Sequence, residues 1–306
     1  MKGKLKALGI SVVLLLIYFG FQIFTGFLFA LFSVVSIAAG YAAGGSVPDI
    51  DDFTARLTES INGSSAGILF VSAALSLMVY ILIYSDRRPD FVGLWKFRRF
   101  RPKQIALLIV FSVSFSVVIE FLLSMLSSIE VFHTLFEKYG KLMKLISGPE
   151  FFVVLFFVGI LIPIFEEILF RGLIFGELNK VMRVRYAVLL QALIFGMAHL
   201  NIIQGVYAFL LGLLLGYIYR KSGILLYPII IHVAFNTFSV IMSALSTEAF
   251  MERWQIAVIV AGFILFFASG VMLRKSFKKM NGGNHHECNS GADDTQLDQG
   301  ISAGSD

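Results

Sequence analysis

Ionisable and amide side chains recur at helical spacing within an apolar stretch in the third quarter of the chain. Glu167 and Arg171 are four residues apart, so they would share one face of a helix and can form an ion pair. His232 and Asn236 repeat this spacing, and His199 ends another apolar run. Groups of this kind are costly inside a membrane and usually serve a function there. We therefore treat these side chains as candidates for a catalytic site.

Glu166 differs from its neighbour Glu167 because the two side chains lie about 100° apart around a helix. The two carboxylates are therefore expected to have different roles. If Arg171 pairs with Glu167, then Glu166 is free to face a cavity and to act as a general base.

Hydrolysis of a peptide bond suits this set of groups, because it needs an activated water and donors for the developing oxyanion. Glu166 can accept the proton of the water, and His199 can orient that water or share the proton. His232 and Asn236 can donate hydrogen bonds to the oxyanion. We expect no serine or cysteine nucleophile, since the usual serine-hydrolase and zincin motifs are absent and the single cysteine, Cys288, lies in the C-terminal tail.

A purely structural role is the alternative for each of these residues taken alone. Histidines in membrane helices often hydrogen-bond to a neighbouring helix, and a glutamate–arginine pair can neutralise itself. The concentration of such groups on three spans favours a function for the set. Glu120 is the exception, because it lies alone near the outer end of the third predicted span, and we assign it a structural role.

The elements that must position these groups are membrane spans. Hydrophobic residues make up 58% and charged residues only 15% of the 306 residues, and a soluble globule of this size has no interior for so much apolar surface. The charges fall in clusters between long uncharged runs, and a spanning helix needs about 20 apolar residues. We predict an all-α, polytopic transmembrane helix bundle of about eight spans, at residues 8–40, 66–85, 104–127, 151–175, 185–200, 203–220, 223–245 and 254–273.

The basic clusters predict the orientation of these spans. With a single span at residues 8–40, most lysines and arginines fall on one side, which is expected to be the cytoplasm. A hairpin of two spans there is the alternative, and it would place the cluster at 87–103 outside. We predict an integral, multi-pass protein of the plasma membrane with both termini in the cytoplasm. Topology accounts for the basic clusters, so we expect no nucleic-acid partner.

Two segments outside the spans have their own patterns. Residues 129–148 place apolar side chains at helical spacing with charged residues mostly opposite, which predicts an amphipathic helix in the outer membrane interface. From residue 280 onwards the composition changes to Gly, Asn, Ser and Asp, which is typical of a disordered tail.

Three motifs in order resemble those of the CAAX-protease and bacteriocin-processing family, also called the Abi family, which includes the Ras-converting CAAX endopeptidases. The family pattern is Glu-Glu-x-x-x-Arg, then Phe-x-x-x-His, then His-x-x-x-Asn, on successive membrane helices. The corresponding segments here are 166–171, 195–199 and 232–236, with every motif residue present. Each motif alone is weak, but the three together are specific. The resemblance covers about residues 150–245.

The resemblance implies an intramembrane endopeptidase with an eight-helix-type core. By matching position, Glu166 would be the catalytic glutamate and His199 its partner on the water. His232 and Asn236 would form the oxyanion site. Glu167 and Arg171 would be accessory or structural. The implied partners are membrane lipid and a peptide or protein substrate, lipidated or membrane-anchored.

The predicted organisation follows from the spans and the resemblance together. It consists of a transmembrane region at 1–149 with three spans and the outer amphipathic helix, a CAAX-protease-like catalytic core at 150–245, a final span with a basic flank at 246–279, and a disordered cytoplasmic tail at 280–306.

We expect no cofactor, because the motifs lack zincin spacing. Family members are often described as metalloproteases, so zinc held by Glu166, His199 and His232 is the alternative.

The depth of the site sets a condition on the fourth span. Glu166 and His199 can meet only if this span is long or tilted and continues through Leu178, which would leave Glu166 near the middle of the membrane. Two other functions stay open from the sequence: a non-catalytic immunity or scaffold protein of the same family, and a transporter.

Overall fold

The protein is represented by a computed structural model that describes residues 2–45, 47, 49–85, 102–147, 151–245 and 248–289, without the side chains of 144–147, 248–252 and 279–289. Over these residues the chain forms nine helices of more than one turn and no strand. They are α1 (Lys2–Ala43), α2 (Ile50–Ser85), α3 (Pro102–Ser127), α4 (His133–Ser147), α5 (Phe151–Asn179), α6 (Val184–Ala198), α7 (Ile202–Ser222), α8 (Leu226–Leu245) and α9 (Glu248–Asn289).

Seven helices within the described ranges are long and apolar enough to cross a membrane, so the predicted all-α membrane bundle is confirmed. The difference from eight predicted spans is α6, which has 15 residues and is about 22 Å long at 1.5 Å per residue. The first run is one continuous helix, α1, so the hairpin alternative for residues 8–40 is wrong. The basic cluster at 87–103 lies mostly outside the described residues.

The two segments between or beyond the spans are also helical where they are described. The predicted amphipathic helix is confirmed as α4, and its Tyr139 hydroxyl lies 3.4 Å from that of Tyr207 on α7. Helix α9 continues to Asn289, into the segment predicted to be a disordered tail, and residues 290–306 lie outside the described residues.

Apolar packing divides the bundle into two large clusters. One joins α1, α2, α5 and α6 with Ala208 of α7, and the other joins α3, α7, α8 and α9. Hydrogen bonds between helices reinforce each group: Tyr80 donates to the carbonyl oxygen of Leu14 at 2.7 Å, and Tyr227 donates to Gln104 at 2.8 Å. The candidate residues lie where α5, α6 and α8 meet.

The pairing of α6 with α7 depends on glycines that let two backbones approach closely. A Cβ atom added at Gly196 would lie 2.6 Å from the carbonyl oxygen of Gly205, which is closer than real contacts allow. The connecting turn holds Leu200 in the left-handed region at φ 55°, an uncommon conformation for a non-glycine residue. Asn201 then caps α7 by accepting from the amide of Gln204 at 3.1 Å.

Gly196→Ala is therefore expected to destabilise the protein by about 1–3 kcal/mol, because the added methyl group must push α6 away from α7. Gly176→Ala is the matched control: it lies in α5 and has no atom within 4 Å of the added Cβ position. This control should be neutral or stabilising by about 0.5–1 kcal/mol through helix propensity. Thermal unfolding of both variants in detergent measures the difference, and equal midpoints would contradict the packing argument.

Candidate active site

Helix α5 carries the acidic pair in a short α-helical stretch between two π-helical ones. The stretch Ile162–Glu167 is preceded by the widened turns of Leu155–Leu161 and followed by those of Ile168–Ile174. Such turns are rare and often lie at functional sites, because they change the direction in which side chains point. Glu166 and Glu167 thus lie in one turn and a half of α-helix with π-helical turns on both sides.

Glu167 is the centre of a buried charge network. Arg171 Nη1 donates to Glu167 Oε1 at 2.6 Å, which confirms the ion pair predicted from the spacing. The same oxygen lies 2.7 Å from Nδ1 of His232 on α8. The side chains of Glu167 and Arg171 are fully buried and that of His232 is 3% exposed. The contact between Glu167 and His232 joins α5 to α8, and removal of one member of the network would leave an uncompensated buried charge.

The contact with Glu167 also determines how His232 can act. A carboxylate facing Nδ1 requires a proton on that nitrogen, so the ring is held in one orientation with Nε2 turned away from Glu167. Nε2 lies 3.5 Å from Oε2 of Glu166. The network therefore presents one edge of the His232 ring to the second carboxylate.

Glu166 is the more accessible of the two acids. Its side chain is 13% exposed, whereas that of Glu167 is buried completely. The expectation that the two carboxylates differ in their surroundings is confirmed: Glu167 is held by Arg171 and His232, while Glu166 contacts His232 more loosely.

His199 lies at the end of α6, beside the ring of Phe195. Its Nδ1 is 2.8 Å from the carbonyl oxygen of Phe195, and the two rings are edge to face at 4.9 Å between centroids. A proton on Nδ1 that donates to this carbonyl leaves Nε2 as an acceptor. The Phe195 ring also meets His232 edge to face at 5.6 Å and lies 4.6 Å from the guanidinium carbon of Arg171. Phe195 thus connects the two histidines.

The length of α5 allows Glu166 and His199 to lie at similar distances from the turn between α5 and α6. The helix continues past Leu178 to Asn179, as the predicted meeting of these residues requires. Glu166 lies 13 positions before Asn179, and His199 lies 15 positions after Val184. At 1.5 Å per residue, both lie about 20 Å from the turn that joins α5 to α6.

Asn236 lies on α8, as its spacing from His232 requires, and its recorded partner is the backbone of α5. Its amide nitrogen donates to the carbonyl oxygen of Val158 at 3.3 Å, and the adjacent Thr237 donates to that of Gly159 at 3.1 Å. A side-chain amide has two N–H donors, so the bond to Val158 leaves one for another acceptor.

Sequence reasoning missed Gln191, which is completely buried. Its amide nitrogen donates to the carbonyl oxygen of Gly212 on α7 at 2.9 Å, and Nη2 of Arg171 lies 3.4 Å from the same oxygen. Gln191, Phe195 and His199 are spaced by four residues and so share one face of α6. A glutamine inside an apolar span was the available signal.

The zinc alternative would need the side chains of Glu166, His199 and His232 around one ion. Within the part of the chain that the structure describes, no three His, Cys, Asp or Glu side chains form a group able to hold a metal ion. Both ring nitrogens of His232 face carboxylates, whereas Nδ1 of His199 faces a carbonyl oxygen and its Nε2 stays open.

Comparison with known proteins confirms the resemblance for this part of the chain. Residues 148–238 match the family model described as type II CAAX prenyl endopeptidase Rce1-like. The region that contains the three motifs therefore resembles a membrane endopeptidase.

Two curated relatives are similar over about a third of the chain. YdiL of Bacillus subtilis (strain 168), whose name proposes a membrane peptidase, is 31% identical over 105 residues, which cover 34% of this chain and 43% of the relative. The membrane-embedded CAAX protease MroQ of Staphylococcus aureus (strain USA300) is 36% identical over 109 residues, which cover 34% of this chain and 44% of the relative. The matches thus span less than half of each relative. No solved structure matches the chain significantly.

The apolar helices and these similarities together support an integral membrane protein, in which residues 148–238 are similar to the CAAX endopeptidases.

Proposed function

We propose that this protein is an intramembrane endopeptidase in which Glu166 activates a water molecule for attack on a peptide bond. The proposal rests on the different burial and hydrogen bonding of the two adjacent acids, Glu166 and Glu167. Arg171 and His232 both hydrogen-bond to the buried carboxylate of Glu167. The carboxylate of Glu166 is partly exposed and lies beside the His232 ring. The similarity of residues 148–238 to a prenyl endopeptidase family supports the reaction type.

The reaction follows from the positions of the donors and acceptors. Glu166 takes a proton from the water as the water oxygen attacks the carbonyl carbon of the peptide. His199, with Nε2 as an acceptor, orients the water. The carbonyl oxygen becomes an oxyanion that accepts a hydrogen bond from Nε2–H of a protonated His232, whose positive charge Glu167 stabilises. The C–N bond then breaks, and Glu166 returns the proton to the departing amine.

Asn236 is the second donor that we propose for the oxyanion, through the N–H that does not bind Val158. Arg171 and Glu167 act through His232, so they are positioning residues. Gln191 belongs with them, because it shares the carbonyl oxygen of Gly212 with Arg171.

The substrate we propose is a peptide or protein, lipidated or anchored in the membrane, since the site lies among apolar helices. The name of the relative MroQ describes a CAAX protease, and this supports a substrate cut near its C-terminus. We further propose that the protein lies in the plasma membrane with both termini in the cytoplasm, on the basis of its basic clusters.

Comparison of protein termini in cells that express wild-type protein or Glu166→Gln tests the proposed function. We expect new peptide termini in membrane proteins that depend on Glu166. A Glu166→Gln variant that is present at normal levels and restores the phenotype of a knockout would instead favour the non-catalytic scaffold function.

Metal removal provides a separate test of the chemistry. We expect dialysis against a strong chelator to leave the cleavage rate unchanged, because the proposed nucleophile is generated by a carboxylate. A metal that activates water contributes several kcal/mol, so its removal would abolish activity. Loss of cleavage that zinc restores would contradict the proposed route.

A further inference from the structure

A small cavity lies between α1, α2 and α5, outside the charge network. Four residues with polar groups line it, Glu166 of α5, Tyr18 of α1, and Ser76 and Tyr80 of α2, and the rest of the wall is apolar: Ala73, Leu77, Phe165 and Leu169. Its volume is about 10 Å³. A cavity of roughly 10–15 Å³ is enough for a single water molecule when polar groups face it. We call this cavity the Glu166 chamber.

The packing of α1 against α5 brings Tyr18 to the depth of Glu166. Near the start of α1, a Cβ atom added at Gly3 would lie 3.7 Å from Val181, in the turn after α5. Tyr18 and Glu166 each lie 15 positions further into the bundle from that contact, a distance of about 22 Å along a helix. The tyrosine and the carboxylate are therefore level with each other.

Two hydroxyl groups of the chamber already donate to backbone carbonyls. Tyr80 donates to Leu14 at 2.7 Å, and Ser76 donates to Ser72 at 2.7 Å. These bonds are of a kind that stabilises helices in membranes. They hold the α2 wall in place and leave the oxygen atoms of both hydroxyls as acceptors.

Tyr18 differs from Tyr80 in its surroundings. It is 8% exposed and shares the wall of the chamber with Glu166. A tyrosine hydroxyl can accept one hydrogen bond and donate another, so Tyr18 can act as a donor toward the chamber.

We propose that Tyr18 is a further active-site residue, whose hydroxyl donates to one water molecule held against Glu166 in the Glu166 chamber. This inference rests on the proposed function, and it adds a second water on the α1 and α2 side of Glu166, separate from the water that His199 orients. The first two helices, which lie outside the segment matched to the endopeptidase family, therefore complete the site. The second water contacts Glu166 from α1 and α2, while His232 faces the same carboxylate from α8.

Tyr18→Phe in the full-length protein tests the donor. The substrate is a peptide that spans the cleavage site found by terminus analysis. We expect kcat to fall about tenfold or more, because the variant loses the hydrogen bond from the Tyr18 hydroxyl to the water beside the Glu166 carboxylate. KM should not change, since the hydroxyl faces the water and not the peptide. The control is Tyr84→Phe, which removes another buried hydroxyl of the bundle, 3.3 Å from Glu177, and should leave kcat unchanged.

Ala73→Val tests the chamber without touching a hydroxyl. Ala73 is 2% exposed and forms part of the wall, so the two added methyl groups occupy the space of the water. We again expect a lower kcat with the same KM. Ala66→Val is the matched control, because Ala66 is also buried on α2, at 3% exposure.

The outcomes separate the two proposals. Full cleavage by Glu166→Gln would overturn the proposed function. If Glu166→Gln is inactive while Tyr18→Phe and Ala73→Val keep the wild-type kcat, the inference about Tyr18 is wrong and the proposed function stands.

Discussion

Glu166→Gln is expected to reduce kcat for peptide cleavage by about 10²–10⁴-fold, the usual contribution of a general base. The substitution keeps the size and shape of the side chain and removes its ability to accept the proton of the water. The thermal midpoint should stay near that of the wild type, because Glu166 is the partly exposed acid and the buried network is centred on Glu167. A cleavage assay with purified protein, combined with thermal unfolding, measures both quantities.

Glu120→Gln is the matched control for this prediction. Glu120 is also a glutamate within a membrane helix, and its recorded partner is the Ser239 hydroxyl at 3.3 Å, away from the charge network. The same chemical change there should leave kcat unchanged. Equal losses in Glu166→Gln and Glu120→Gln would show that removing any membrane carboxylate impairs the protein, and the assignment of Glu166 as the base would then fail.

Arg171→Met is expected to produce the largest loss of stability, about 3–5 kcal/mol, because it leaves the buried Glu167 carboxylate without its strongest partner. Arg171 also lies over the Phe195 ring at 4.6 Å and contacts Gly212 of α7, so the substitution weakens the contact of α5 with α6 and α7. The expected result is a lower thermal midpoint and less protein in the membrane.

The double variant Glu167→Gln/Arg171→Met separates stability from catalysis. With both charges removed, most of the lost stability should return, since neither partner is left as an isolated buried charge. Activity should stay low, because His232 no longer has a carboxylate to hold its ring and stabilise its charge. Recovery of full activity together with stability would contradict the role of Glu167 in positioning His232.

Lys180→Met, at the residue that directly follows α5, is the control for Arg171→Met. Lys180 pairs with Glu177 at 2.5 Å, but its side chain is 44% exposed. Ion pairs at the surface typically contribute about 0–1 kcal/mol, so this variant should unfold close to the wild type. A loss as large as that of Arg171→Met would mean that burial is not what makes the Glu167–Arg171 pair important.

Some of the site followed from spacing along single helices. The pairing of Glu167 with Arg171 and the different surroundings of Glu166 were both predicted and are confirmed. These relations are local, because the rise and rotation per residue determine which side chains meet one turn apart.

Contacts between helices were not predictable in the same way. The sequence grouped His232 with Asn236, but in the structure Glu167 holds His232, and Asn236 donates to the backbone of Val158. The position of Phe195 between the two histidines was also not foreseen. Which faces meet depends on the rotation and tilt of whole helices, and spacing within one helix carries no information about either.

By itself, the sequence determined that the chain is a helical membrane protein and that an acid, two histidines and an amide lie on three apolar segments. Charge is costly in hydrocarbon, so the spans appear in the sequence as long uncharged runs. For the same reason, the few ionisable residues inside those runs stand out as candidates for a function. Only the tertiary structure decided that Tyr18 and Glu166 share a chamber and that α1 and α2 form one wall of the site. That result depends on close packing, such as the approach of Gly3 to Val181, and close packing is a property of two surfaces together.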